Sequence, residues 1–271
     1  MTLEEIQGVG LRILHDVHAY CIANKISYTL FGGTMIGAIR HKGFIPWDDD
    51  VDIAMPRPDY EKFISGYQSS EGYKLICYEH GDCQLAFARV CEMNRTFVKQ
   101  SLPWCNQETG VYIDVFPLDG VPDDERKAKR YFNKMYISWT CLKLARVSQR
   151  HLRDQKTWKR KMNVLVRKLL FQNPITKPIN WTKRHIQFCK QIPFGSTRHF
   201  ANISFMEYKM KEYQQLEDYQ STHLVTFEDG EFCVCNGYDH LMRLKYGDYM
   251  QLPPKEGQTV KHGGSKYYWR S

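Results

Sequence analysis

No run of apolar residues in this chain reaches the roughly 18 that a membrane-crossing helix needs, so a transmembrane span is not expected. The opening MTLEEIQGVG lacks a basic stretch followed by an apolar one and does not read as a secretory signal. There is no C-x-x-C pair among the nine cysteines. An odd number, scattered, fits reduced thiols of a cytoplasmic protein better than a disulfide framework. Cys233 and Cys235 come closest, but one intervening residue and no histidine at finger spacing argue against zinc. Internal repeats and low-complexity tracts are absent as well. Acids are almost missing from one segment. Arg126 to Lys190 holds 19 Lys or Arg against the single Asp154, a charge of +18 in a chain of net +8, which leaves −10 for the rest.

A chain of 271 residues is long enough for one generous core, or one core with an appended module. The aromatic fraction of 14% is high, so ring-lined pockets are plausible beside an aromatic-rich core. Leu3 to Asn24 has helical apolar spacing, with Thr2 and Glu5 placed for a capping box. A strand from Ser27 to Phe31, a short helix from Thr34 to Arg40, a strand from Asp50 to Met55 and a helix from Asp59 to Tyr67 follow. Gly37 suits a close approach to a neighbouring element. Further strands are expected at Tyr73–Tyr78, Leu85–Cys91, Thr96–Lys99 and Val111–Phe116, the last ended by Pro117. Three basic helices then span Asp123–Arg150, Lys156–Phe171 and Pro178–Lys190. After them come a helix at Phe205–Asp218, strands at Leu224–Phe227 and Phe232–Cys235, a helix at Tyr238–Tyr246 and a loop-like tail from Leu252. The class expected is α+β.

Leu30 to Met55, LFGGTMIGAIRHKGFIPWDDDVDIAM, carries residues that a core does not need. Strand alternation turns Val51, Ile53 and Met55 one way and Asp50, Asp52 and Ala54 the other, so two carboxylates share an exposed face. Carboxylates in that relation hold hard cations, while a Gly32-Gly33 turn opening a helix offers amides to phosphate oxygens. Either half alone is weak, since acidic pairs and glycine turns are common in solvated loops; together they point to metal-assisted phosphoryl chemistry. Arg40, His41 and Lys42 lie between the two halves and suit a charge-assisted grip on phosphates. Trp47 stays open between ring stacking or cation–π contact with a ligand and simple packing.

Several runs together resemble the LicD family, kin to fukutin and fukutin-related protein: Gly32-Gly33-Thr34, GAIRHKGFIPWDDDVD over Gly37 to Asp52, YIDVFPLDG over Tyr112 to Gly120, and Tyr246-Gly247-Asp248-Tyr249-Met250 with Leu252-Pro253-Pro254. Phe227-Glu228-Asp229 resembles that family's short acidic motif. The resemblance implies a nucleotidyltransferase-like fold related to the DNA polymerase β palm. It also implies transfer of a phospho-alcohol, typically phosphocholine, from a CDP-linked donor to a sugar hydroxyl of a teichoic acid, lipopolysaccharide or capsule precursor. Asp50 and Asp52 then match metal-binding aspartates for Mg²⁺ or Mn²⁺. Asp114 matches a third carboxylate able to share the metal and take the acceptor proton. Gly32, Gly33 and Thr34 form the phosphate turn, and Arg89 is a second phosphate candidate or a salt-bridge partner. Asp48 and Asp49 remain open between metal ligands and acids that solvate the turn.

Length, charge and pattern together suggest a catalytic core over residues 1–122, a basic helical module over 123–192, and a segment 193–271 that completes the catalytic domain. In the module, Trp139, Trp158, Leu169, Leu170, Phe171 and Trp181 interleave with Lys and Arg. That mixture suits anionic lipid headgroups at the inner face of the cytoplasmic membrane, where a lipid-linked acceptor would be met; a merely solvated basic face is the alternative. No nucleic-acid motif accompanies the charge, so nucleic acid is not an expected partner. Two other functions stay open: a true nucleotidyltransferase acting on a sugar or small molecule, and a silent membrane-associated binding protein.

Overall fold

The computed structural model describes residues 1–99, 109–145, 158–171, 180–259 and 266–270. Helix α1 (Leu3–Ala23) starts on the expected capping box: the Glu5 amide donates to Thr2 Oγ1 at 3.2 Å, and the Thr2 amide donates to the Glu5 carboxylate at 2.6 Å. Its Ile13, Leu14 and Val17 are fully buried, and the helix lies across the central strands.

The centre of the sheet is β6 (Val111–Val121). On one side it pairs in parallel with β2 (Asp52–Pro56), and on the other antiparallel with β4 (Ala88–Glu92). Outside these lie β1 (Thr29–Leu30) against β2 and β3 (Lys74–Ile76) against β4, for the order β1-β2-β6-β4-β3. A parallel pair requires a crossover, which begins with α3 (Arg57–Gly66). The far end of β6 pairs with β7 (His199–Ala201), itself paired with β8 (Gln214–Gln215). Strand β5 (Thr96–Lys99) lies off this sheet. The architecture is a mixed sheet with helices, of the α+β class.

A second apolar cluster gathers Phe132, Met135 and Leu142 of α4 (Glu125–Ala145), Ile186 and Cys189 of α6 (Trp181–Cys189), and Ile203 and Met206. Helix α5 (Trp158–Phe171) rests on α4. The hairpin of β9 (Thr222–Phe227) and β10 (Gly230–Cys235) is tied to β1 by the Cys235 amide, which donates to Thr29 Oγ1 at 3.0 Å. Helix α7 (Tyr238–Tyr246) follows it. None of the eight described cysteines is in a disulfide, and no helix of the described residues is long and apolar enough to cross a membrane.

Four expectations are corrected. Strand β2 begins at Asp52, so Asp50 precedes the strand and does not share its alternating face; pairing with β6 starts at Asp52↔Asp114. Strand β6 does not stop at Pro117 but continues to Val121. On its β4 side pairing lapses after Val115 and resumes with β7 at Asp119, so the missing N–H of Pro117 falls in a gap. The helix expected over Phe205–Asp218 is instead two 3₁₀ turns, Lys209–Glu212 and Leu216–Tyr219, around β8, because Gln214 and Gln215 pair with β7. The tail is not all loop: β11 (Lys266–Trp269) pairs antiparallel with β5. Smaller shifts occur at α3, which starts at Arg57 with Pro58 in its first turn, a position where proline is tolerated. The expected helix ends at 146–150, 156–157 and 178–179, and the turns at 173–174 and 177–178, lie outside the described residues. Trp139 is buried in the second cluster, so it is not part of a basic surface.

Candidate functional site

The glycine turn and the strand that follows it are knitted by backbone. The Phe31 amide donates to the Asp52 carbonyl at 2.9 Å, and the Asp52 amide donates to Thr34 Oγ1 at 2.8 Å. Thr34 therefore joins the turn to the strand. Gly32 has φ +57°, a left-handed conformation, and a Cβ there would lie 2.8 Å from Asp52 Oδ2. A Cβ on Gly33 would collide with the Asp48 carboxylate. Two glycines thus make room for two carboxylates. Helix α2 (Gly32–Ile36) runs on into a single π turn, Gly37–His41, a distortion often found at functional sites. Gly37 meets the carbonyl of Gly43, as its expected close approach requires.

Across the sheet, Asp52 is in register with Asp114, and Asp114 with Arg89, so the three side chains share one face. The Asp114 amide donates to the Val51 carbonyl at 2.8 Å. Arg89 grips Asp114 with a fork: Nε donates to Oδ1, and Nη2 to Oδ2 at 3.1 Å. The guanidinium lies 3.8 Å from the centre of the Tyr112 ring. Burial works against the charge of Arg89, but Asp114 more than compensates and keeps it cationic. Arg89 is thus the partner of a site carboxylate.

Asp48, Asp49 and Asp50 bring carboxylate oxygens within 4.8 Å of one another. Asp52 joins them electrostatically. Its pKa is pushed well above the usual carboxylate range by burial, then by the charges of Asp50, Asp114 and Asp48, while Lys245 acts the other way. Gln7 of α1 supports the group from outside, its Nε2 donating to the Asp48 carbonyl at 2.8 Å. Oxygen donors alone, gathered this closely, fit a hard divalent cation.

The cationic run has other partners. Arg40 Nη1 donates to the carbonyls of Tyr249 at 2.5 Å and Gln251 at 3.3 Å, anchoring the C-terminal Tyr-Gly-Asp-Tyr motif to the π turn. Arg40 Nε donates to His41 Nε2 at 2.9 Å. Burial and Arg40 lower the pKa of His41, so the ring is neutral at pH 7. Lys42 caps the π turn in a left-handed conformation, exposed. Trp47 is half-buried against the main core.

Two contributors were not assigned from sequence. Glu228 clasps the turn after Lys42: its amide donates to the Lys42 carbonyl at 2.8 Å, and its carboxylate accepts from the Phe44 amide at 2.7 Å. Lys245 is only 5% exposed and pairs with Glu212 at 2.5 Å. Its Nζ sits 4.3 Å from the centre of the Phe31 ring and 4.4 Å from that of Tyr208. A signal for Lys245 existed, since it falls on the buried stripe of α7 with Leu241 and Met242.

A family model described as "LicD/FKTN/FKRP, nucleotidyltransferase domain" matches residues 25–140. The lipopolysaccharide cholinephosphotransferase LicD of Haemophilus influenzae is 33% identical over 97% of this chain and 96% of its own length. Uncharacterised proteins of Rickettsia prowazekii and Rickettsia typhi are each 42% identical over 48 residues, 18% of this chain and 18% and 16% of theirs.

Proposed function

The chain belongs to the LicD family, and from that premise we propose that it transfers phosphocholine from a CDP-linked donor to a sugar hydroxyl of a lipid-linked cell-surface glycan, releasing CMP. The observation that carries this reading is the crowding of Asp48, Asp50 and Asp114 charge onto Asp52 beside Gly32 and Gly33. Asp50, Asp52 and Asp114 would hold Mg²⁺ or Mn²⁺, with Asp48 beside them. Such a cation, when bound, neutralises the donor diphosphate and stabilises the departing CMP.

The remaining work falls to the chain. Gly32 and Gly33 let the donor phosphates approach the backbone, and exposed Lys42 meets them from the end of the π turn. Arg89 fixes the orientation of Asp114, whose oxygens each keep a second lone pair; one receives the proton of the attacking sugar hydroxyl. As the new P–O bond forms in line, the bond to CMP breaks. The frame is nucleotidyltransferase-like, with the basic helices of 123–192 as a module beside it. On this reading the reaction takes place in the cytoplasm, at the inner face of the membrane that carries the acceptor.

The test is incubation with CDP-choline, CDP-ethanolamine, CDP-glycerol and CDP-ribitol in Mg²⁺, following CMP with and without glycan acceptor. Acceptor-stimulated CMP release with a preference for CDP-choline is expected. No release from any donor contradicts the proposal, and preference for another donor replaces choline.

Glu228→Ala unclasps Lys42 to Phe44 while leaving the carboxylates in place. Loss of a charge-assisted hydrogen bond to an exposed turn should raise the donor KM by roughly three- to tenfold with kcat little changed. Steady-state kinetics decide; a fall in kcat at constant KM would show that the clasp serves the chemical step instead.

A further inference from the structure

Helix α5 carries its apolar stripe on the outside. At about 100° per residue, Trp158, Met162, Leu165, Val166, Leu169 and Leu170 fall within an arc of about 140°. All six are exposed, Trp158 by 71% and Leu170 by 57%. Val164 and Phe171 fall on the opposite side and face the protein: Val164 is buried, and the Phe171 ring meets that of Trp181 in α6 at 5.7 Å. The outward stripe therefore leaves much of its apolar surface to solvent. Soluble monomers seldom leave a contiguous apolar face of this kind in water.

The charge around the stripe limits what can cover it. Helix α5 contains five Lys or Arg and no acid, within the +18 segment. Exposed Lys161 flanks one edge, and exposed Lys159 lies at the other. A second copy would bring like charge against like, and a nucleic acid would match the lysines yet leave the leucines wet. Anionic lipid offers headgroups to the lysines and acyl chains to the stripe together.

We propose that α5 docks the protein on an anionic bilayer, lying in the plane of the interface with Trp158, Met162 and Leu165 sunk below the headgroups. The proposal rests on the reading of a lipid-linked acceptor, because docking would hold the site beside the membrane that presents it. It names one helix face as the element responsible.

Flotation of the full chain tests this, using vesicles of equal parts phosphatidylglycerol and phosphatidylcholine against pure phosphatidylcholine. The chain should float with the anionic vesicles, and high salt should weaken but not abolish that association. Met162→Glu with Leu165→Glu should weaken it by about tenfold or more. The same variant should release CMP on a soluble acceptor at the normal rate, which also shows it folded. If it misfolds, Lys159→Glu with Lys161→Glu probes the two edges of the same face and should weaken anionic binding to a similar degree. Lack of vesicle binding by the parent chain overturns the proposal. So does binding that salt abolishes and the apolar variant leaves intact. A drop in solution mass of the variant with unchanged flotation would make the face a self-contact, and competition by nucleic acid alone would make it a nucleic-acid surface. Because flotation needs no turnover, failure here and failure of the phosphocholine reading are separable.

Discussion

Asp52→Asn is expected to cut turnover by about three orders of magnitude while leaving the metal-free protein at least as stable as the parent. Asp52 stands where turn, strand and cluster meet, against Gly32, in register with Asp114, and under the charges of Asp50 and Asp48. On the proposed reading the carboxylate helps hold a cation there, and the isosteric amide removes that charge without removing volume. Stability follows the sign of the shift. The folded pKa of Asp52 lies above its unfolded value, so its contribution is fully present below the ordinary carboxylate range and is lost as pH rises through the raised value. At pH above the ordinary carboxylate range this shift therefore opposes folding in the absence of metal, and asparagine relieves that opposition. A divalent cation bound to the folded chain reverses the balance. Mg²⁺ or Mn²⁺ should accordingly raise the Tm of the parent and leave that of the variant almost unmoved. The metal-induced rise should shrink as pH falls and protons compete for Asp52. Calorimetric scans with and without metal, beside CMP-release assays, check both halves. Full activity in Asp52→Asn contradicts the site.

Asp119→Ala is expected to do the opposite and destabilise the fold by about 3–5 kcal/mol. Asp119 is wholly buried and accepts two hydrogen bonds from Arg57, from Nε at 2.8 Å and Nη2 at 2.6 Å. The pair ties the start of α3 to the end of β6, bracing the crossover between the two parallel strands. Removing the carboxylate leaves a buried guanidinium with the more distant Glu61, 3.5 Å from Nη1, as its acidic partner among the described residues. Denaturant unfolding measures the cost; a change below about 1 kcal/mol would mean the crossover does not depend on the pair. The two aspartates of YIDVFPLDG thus have separate surroundings, Asp114 with Arg89 in register with Asp52 and Asp119 with Arg57.

The resemblance singled out Asp114 alone, and the buried pairing of Asp119 with Arg57 was not legible in the sequence, because both acids stand in one motif and only the pairing register separates their surroundings. Local features read well: the Thr2 and Glu5 cap and the Gly37 contact depend on neighbours along the chain, whereas the strand expected from Asp50 begins two residues later. Features set from a distance did not. Phe205 to Asp218 has a helical pattern, yet β7 draws Gln214 and Gln215 into a ladder and Lys245 holds Glu212. The tail after Leu252 is rich in Pro and Gly, yet Lys266 to Trp269 finds an unpaired edge in β5. At the candidate site, residue types and spacing pointed to Asp52 and the glycine turn and the family resemblance to Asp114, and the fold brings these residues together. The hydrogen bonds of Arg40 to the carbonyls of Tyr249 and Gln251 could not be read locally, because those residues lie more than 200 positions away along the chain.

The nature of the transferred group is the most direct test of the phosphocholine reading. CDP-choline labelled in the choline and CDP-choline labelled in the cytidine are offered in parallel, with Mg²⁺ and a glycan acceptor, to the parent protein and to Asp52→Asn. The expected result is choline label on the acceptor and cytidine label in free CMP with the parent, and neither with the variant. Cytidine label on the acceptor, or equal transfer by the variant, would contradict it.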